Sequence, residues 1–314
     1  MFWLFCDSGV FYTITLIRRQ YFMKLISQII HADIAHKHGF LGKNIGIAFL
    51  DTGIYPHKEF YPADQRIAGF IDYVHHRSYP YDDNGHGTHI AGIAASASCG
   101  IAPAAHIISL KVLDALGNGN QRTFLNGLSW IHHFHKQYGI RIVNISIGTP
   151  ASGNDEAANA IVKQVNQLWD DGLVVCIASG NNGPRDHSIT APGNSRKIIT
   201  VGSSDDASRP MGSQRFAKNY SSRGPTSSCV MKPDVVAPGT NIYSCGLNGG
   251  HSIKSGTSMA TPAVSGAIAL LLERYPYYTN KDVKMKLRYN CDKLSTPRNH
   301  QGWGQINVQK LLDL

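Results

Sequence analysis

Apolar residues along the chain gather in short runs, and between the runs they recur every three or four positions. "NIGIAFL" (44–50), "HIISLKVL" (106–113), "RIVNISI" (141–147), "LVVCIAS" (173–179) and "KIITVG" (197–202) have strand length and little alternation, as expected of strands covered on both faces. The intervening "THIAGIAASA", "RTFLNGLSWIHHFHKQYG" and "DEAANAIVKQVNQLWDDG" have helical spacing, and "AVSGAIALLLERYP" reads as a further buried helix. Strand and helix in alternation predict right-handed crossovers and an α/β architecture: a mainly parallel central sheet with helices on both faces, binding its ligand at the carboxyl ends of the strands.

Composition sharpens this picture in a few places. At 314 residues, 42% hydrophobic and 16% charged, the chain has ample material for one large core. Its net charge of +9 is spread out, with Arg18 and Arg19 its most basic run, so the charge predicts a solvated surface and no nucleic-acid partner. Six cysteines lack metal-binding spacing and read as free thiols, Cys176 as a core residue, with Cys229 and Cys245 the one pair worth testing as a disulfide. The first 22 residues place positive charge after a broken apolar stretch, the reverse of a secretory signal and too short for a membrane span. A cytoplasmic location is expected, with anchoring or export through the apolar N-terminus as the alternative, and with residues 1–22 as an N-terminal extension and 23–314 as the working domain.

Three strings carry the chemistry. "FLDTGI" puts Asp51 at the end of a strand, "GHGTHIAG" puts His86 at the start of a helix between glycines, and "SGTSMATP" puts Ser258 at another helix start. Each alone is what helix capping produces. Together they offer an orienting carboxylate, a base and a nucleophile in the order Asp, His, Ser. Other candidates are weaker: His132 and His135 share a helix face without a nearby carboxylate in sequence, and His89 reads as a buried neighbour of His86. "LGNGNQR" lacks the glycine and Lys-Ser pair of a phosphate loop.

The three strings resemble the signatures of the subtilisin-like serine peptidases, and the resemblance runs from about Ile29 to "GWGQINVQKLL". It implies a subtilisin-like three-layer fold and a serine endopeptidase that works through an acyl-enzyme on Ser258. His86 would be the general base, Asp51 its orienting carboxylate and Asn181 of "ASGNNGP" the side-chain donor of an oxyanion hole, with Asn182 its competitor. The strand edge Ser146, Ile147 and Gly148 would pair with substrate, and Gly148, Ala178, Ser179, Gly180 and Thr190 would bound an uncharged S1 pocket. Such a pocket favours Leu, Met, Phe or Tyr, while Asp82 and Asp83, close to Asn84, could attract a basic residue elsewhere in the substrate. A peptide or protein is the implied partner. The alternatives are a maturation peptidase for one substrate and a catalytically silent peptide binder.

The chain also departs from the family pattern. Too few residues precede the matching region for a folded pro-domain, and the short segment is similar in layout to that of intracellular subtilisins, where it blocks the active site. The resemblance implies no cofactor for catalysis. The loop that holds structural calcium in many relatives has no room after His86, leaving Glu59 as a lone matching carboxylate.

Overall fold

A computed structural model of the protein describes residues 26–61, 66–148, 156–208 and 219–314. The extension expected over 1–22 lies outside the described residues. In chain order the elements are α1 (Ala32–Lys37), β1 (Gly46–Asp51), β2 (Ile67–Asp72), α2 (His86–Ala95), β3 (His106–Lys111), α3 (Gln121–Phe134), β4 (Ile140–Ile145) and α4 (Glu156–Asp170). They continue with β5 (Val174–Ala178), β6 (Ile199–Ser203), β7 (Val235–Ala237), β8 (Ile242–Cys245), β9 (His251–Lys254), α5 (Thr257–Arg274), α6 (Asn280–Asn290), α7 (Arg298–Gln301) and α8 (Val308–Leu311).

Seven strands form one sheet in the order β2-β3-β1-β4-β5-β6-β7, and every neighbouring pair is parallel. β8 and β9 form a separate antiparallel hairpin that leads directly into α5. The five strands read from sequence are all present. β2 escapes such a reading because its residues are mostly half-exposed at the sheet edge, and β7 because it has three residues at the other edge. The hairpin lacks a long apolar run for the same reason: β9 is only half-covered.

The period-two alternation of strand side chains assigns the two helical layers. Leu50 and Leu110 point toward Gly127 of α3, whose buried Phe124, Gly127, Leu128 and Ile131 follow helical spacing. The alternate row runs through Phe49, Asn144 and Cys176, paired across β1, β4 and β5. This row faces α5, where Ser265 donates to Asn144 Oδ1 at 2.9 Å. α5 is buried almost throughout, which explains its small and aliphatic composition on all sides. α2 packs across α5, and His89 of α2 donates from Nε2 to both Ile242 O and Ser252 O, each at 3.1 Å. Burial, then the charges of Lys254 and His86, push the His89 pKa down to about 3, so its ring is a neutral strut between helix and hairpin.

The described cysteines are all free. Cys229 is exposed while Cys245 is buried against Gly92 of α2, so the pair suggested by sequence does not form. Gly92 leaves no room for a side chain: an added methyl would collide with Ser244 Oγ and lie 2.9 Å from Cys245 Sγ. Gly92→Ala is therefore expected to lower unfolding free energy by about 1–3 kcal/mol through overpacking. Urea denaturation checks this, and an unchanged midpoint would show that the hairpin yields freely.

Candidate active site

Parallel strands release the chain at one edge, and four of the expected residues collect there. Asp51 is the last residue of β1, Asn181 follows β5, and His86 and Ser258 open α2 and α5. Asp51 is buried and accepts from His86 Nδ1 at 2.8 Å and from the Thr52 amide at 2.8 Å, both at Oδ1. A carboxylate only accepts, so Nδ1 carries the imidazole proton and the Nε2 lone pair is left to act as a base. Among the described residues Asp51 Oδ2 is buried without a hydrogen-bond partner.

The segments carrying Asp51 and His86 are tied together by Asp82. Its Oδ1 accepts from Thr52 Oγ1 and from the amides of Asn84 and Gly85, at 2.9, 3.0 and 2.8 Å. Its Oδ2 accepts from the Thr88 amide and hydroxyl, at 2.9 and 2.6 Å. Thr52 Oγ1 in turn accepts from the Gly87 amide at 2.9 Å. Burial opposes ionisation of Asp82, yet the bonds from Thr88, Gly85 and Asn84 outweigh it and hold its pKa below the usual carboxylate value. The neighbouring Asp83 pairs at 2.6 Å with Lys111, whose ammonium is fully buried and also donates to Thr52 O and Leu113 O. Both acids thus belong to the scaffold, and neither presents a free carboxylate to substrate as the sequence suggested.

Ser258 sits at the second position of α5, where an amide has no carbonyl four residues back inside the helix. The helix N-cap, Gly256, has no side chain to cap with, and Asn181 supplies the missing acceptor: its Oδ1 takes the Thr257 amide at 2.9 Å and the Thr257 hydroxyl at 3.1 Å. Because an amide N–H demands an oxygen, this contact fixes the carboxamide and turns its NH2 away from Thr257. Gly256 has φ +151°, and a side chain there would press on Asn181 Nδ2 at 3.4 Å. Asn182 lines the same cleft, and its backbone N–H donates to Ser222 Oγ at 3.0 Å.

The Ser258 hydroxyl donates to Ser146 O at 2.8 Å, and this bond takes the place of one to His86. A second bond joins the same two residues, because Ser146 Oγ donates to Ser258 O at 3.1 Å. Pro262 explains it. Proline lacks the N–H that would bond Ser258 O within the helix, and Ser146 fills that need from β4's carboxyl end. Pro262 lies beyond the first turn, so its cost is met by this contact more than by its position.

Ser258 and Asn181 open onto a cleft of about 690 Å³. Ser146, Ile147, Gly148, Ala178, Gly180 and Thr190 line it as expected. Ser179 does not. Strand alternation turns it inward, where its carbonyl accepts the Thr190 amide and hydroxyl at 3.0 and 3.2 Å. Val112, Leu113, Phe124, Ile161 and Pro192 extend the cleft beyond the residues read from sequence, while Gly117, Gly119, Asn120 and Gln121 bring the 114–121 loop to its other side. The apolar period of α3 contained the signal for Phe124, but nothing local says that its end faces a cleft. Asn84 turns to Ala115 O at 3.0 Å and receives the His86 amide.

Two other expectations resolve here. His132 donates to Asp171 at 2.7 Å, a carboxylate that sequence distance concealed, and His135 bonds backbone carbonyls of its own helix. Glu59 accepts the Ser98 amide at 2.9 Å, in the short turn after α2 where relatives were expected to carry a calcium loop.

An imidazole oriented by a carboxylate, set at one sheet edge with a serine that opens a buried helix, is the construction of a serine peptidase. The sequence model of the Subtilase family matches residues 42–304, and the chain belongs to that family. Serine protease AprX of Bacillus subtilis (strain 168) is 38% identical over 294 residues, covering 85% of this chain and 66% of that protein. Subtilisin DY of Bacillus licheniformis is 31% identical over 288 residues, covering 90% and 95%. A cold adapted subtilisin-like serine proteinase of known crystal structure superposes with TM-score 0.69 at 28% identity, covering 85% of this chain and 88% of that one. The protein is a serine-type endopeptidase acting on peptide or protein substrates, and none of its described helices is long and apolar enough to cross a membrane.

Replacing Asp82 by Asn would set an NH2 against a ring of donors. Asp82→Asn is expected to cost more than about 2 kcal/mol at neutral pH. The sign with pH follows from the lowered pKa: the ionised Asp82 contributes fully above the unfolded carboxylate value and loses its contribution as pH falls through the folded one. The stability gap between wild type and variant should therefore narrow on acidification below about pH 4. Thermal melts across that range check it, and a constant gap would remove Asp82 from this role.

Proposed function

We propose that Ser258 is the nucleophile, His86 the general base and then acid, Asp51 the group that fixes its tautomer, and Asn181 with the Ser258 amide the oxyanion donors. The observation that carries this reading is the 2.8 Å bond from His86 Nδ1 to buried Asp51, which leaves Nε2 as the base. Ser258 Oγ rests on Ser146 O, the carbonyl at the start of the edge proposed to pair with substrate. A substrate strand that donates to Ser146 O competes for that acceptor and releases the hydroxyl to His86. Nε2 then takes the Oγ proton as Oγ attacks the scissile carbonyl, and the oxyanion develops against Asn181 Nδ2 and the Ser258 N–H at the positive end of α5. His86 delivers the proton to the leaving amine, and water resolves the acyl-enzyme by the same steps in reverse.

No step in this sequence uses a cofactor. We place the enzyme in the cytoplasm, a reading supported by described cysteines that are all free thiols. Ser258→Ala should abolish hydrolysis with the fold intact, and a fluorophosphonate probe should label the wild type at Ser258 alone. Labelling of another serine, or near-normal turnover by the variant, would overturn the assignment.

We further propose that Thr190 sets the depth of S1. A side chain at Gly148 would lie 2.5 Å from Thr190 Oγ1, and one at Gly180 2.6 Å from Thr190 Cγ2, so Thr190 fills the gap between the two glycine walls. With no free acid facing it among the described residues, an apolar residue gains about 1.5–3 kcal/mol by burial while a Lys or Arg head loses its hydration. In a peptide panel varied at that position, Leu, Met, Phe and Tyr should be cleaved faster than Arg. Thr190→Gly should shift the ratio of kcat/KM toward Phe over Leu by about tenfold. Faster cleavage after Arg would overturn the pocket without touching the roles above.

A further inference from the structure

His57, Cys245 and His251 lie away from the catalytic residues and have no part in the mechanism above. His57 and Cys245 are fully buried, His251 is half-buried, and one ligand atom from each lies within 4.8 Å of the other two. Cys245 and His251 face each other as a pair across the β8–β9 hairpin. His251 stacks on Tyr243 with centroids 5.0 Å apart and planes 10° apart, and meets the His57 ring edge-on at 5.2 Å. The orientation of all three is therefore set by packing, as a preorganised donor set requires.

We infer that His57, Cys245 and His251 form a binding site for a borderline-soft divalent cation, with Zn2+ the best match. One thiolate and two imidazoles are a ligand set that hard cations such as Ca2+ or Mg2+ do not choose, and three protein ligands leave a fourth position for water. Coordination releases the Cys245 thiol proton to solvent. His57 now accepts the Glu59 amide at Nδ1 and donates from Nε2 to Gly250 O, at 3.2 and 2.9 Å. Binding through Nε2 moves the ring proton to Nδ1 and exchanges both of these hydrogen bonds for the metal bond. Glu59 belongs to a one-turn segment and Gly250 to the hairpin tip, so short pieces of backbone absorb the change.

The position gives such an ion a consequence. His57 follows Asp51 by six residues, and β9 ends four residues before Ser258. A bound ion would clamp the two arms that deliver the carboxylate and the nucleophile, and would stabilise the folded state by mass action. The inference does not rest on the catalytic roles proposed above, because its test reads absorbance and melting, not hydrolysis.

The full chain carrying Ser258→Ala, to prevent self-digestion, is stripped with a chelator and titrated with Co2+ and then Zn2+. One Co2+ per chain with a thiolate-to-cobalt charge-transfer band, bleached by Zn2+, and a rise in melting temperature with Zn2+ are expected. Cys245→Ser should lose the band, and His251→Gln should weaken binding by about tenfold or more. Absence of the band in the folded chain would overturn the proposal. So would its survival in Cys245→Ser, which would assign the ion to another thiol. If Cys245→Ser does not fold, His251→Gln decides alone: unchanged affinity in that half-exposed variant overturns the site.

Discussion

Asp82 spends both of its oxygens on the two segments that carry Asp51 and His86, and the geometry of the catalytic edge depends on that saturation. Five donors converge on one buried carboxylate, so each segment can move only by stranding a charge away from water. Lys111 repeats the arrangement with opposite sign, its buried ammonium shared among Thr52 O, Leu113 O and Asp83. The parallel sheet brings the strand ends to a common edge. The two satisfied charges then convert proximity into a fixed orientation for the imidazole.

Asn181 shows the same economy. Its carbonyl oxygen caps a helix whose own N-cap is glycine, and the same contact turns the NH2 group away from Thr257. Capping the helix and orienting the Asn181 carboxamide are therefore one interaction. Gly256 suits this junction because its φ of +151° is one that a residue with a side chain rarely adopts.

What could be read from sequence follows from how local the determinants are. Asp51, His86 and Ser258 each sit inside a contiguous string whose glycines and small residues record the backbone approach they need, and the central strands announce themselves by uninterrupted apolar runs. Edge strand β2 and the hairpin do not, because their faces are half-covered and their burial is decided by partners far along the chain. The motif around Ser179 marks its neighbours equally as pocket wall, whereas a pleat turns every second residue away. Asp82 and Asp83 looked available to substrate because composition reports a charge and not who has claimed it; Thr88 and Lys111 had. His132 likewise found its carboxylate in Asp171, 39 positions away in sequence.

The paired contacts between Ser146 and Ser258 carry a consequence for anyone rebuilding this cleft. Because Pro262 withholds a donor from Ser258 O, the wall of the cleft and the second turn of the central helix are chemically one choice: a side chain at 146 without a hydroxyl orphans the carbonyl of Ser258. Restoring an N–H at 262 would give that carbonyl two claimants instead of one. Residues 146 and 262 share no motif and lie on different elements, yet a library that varies one of them alone samples mostly mismatched pairs. The grammar of this site is written in couplets, and redesign of its specificity has to edit both lines together.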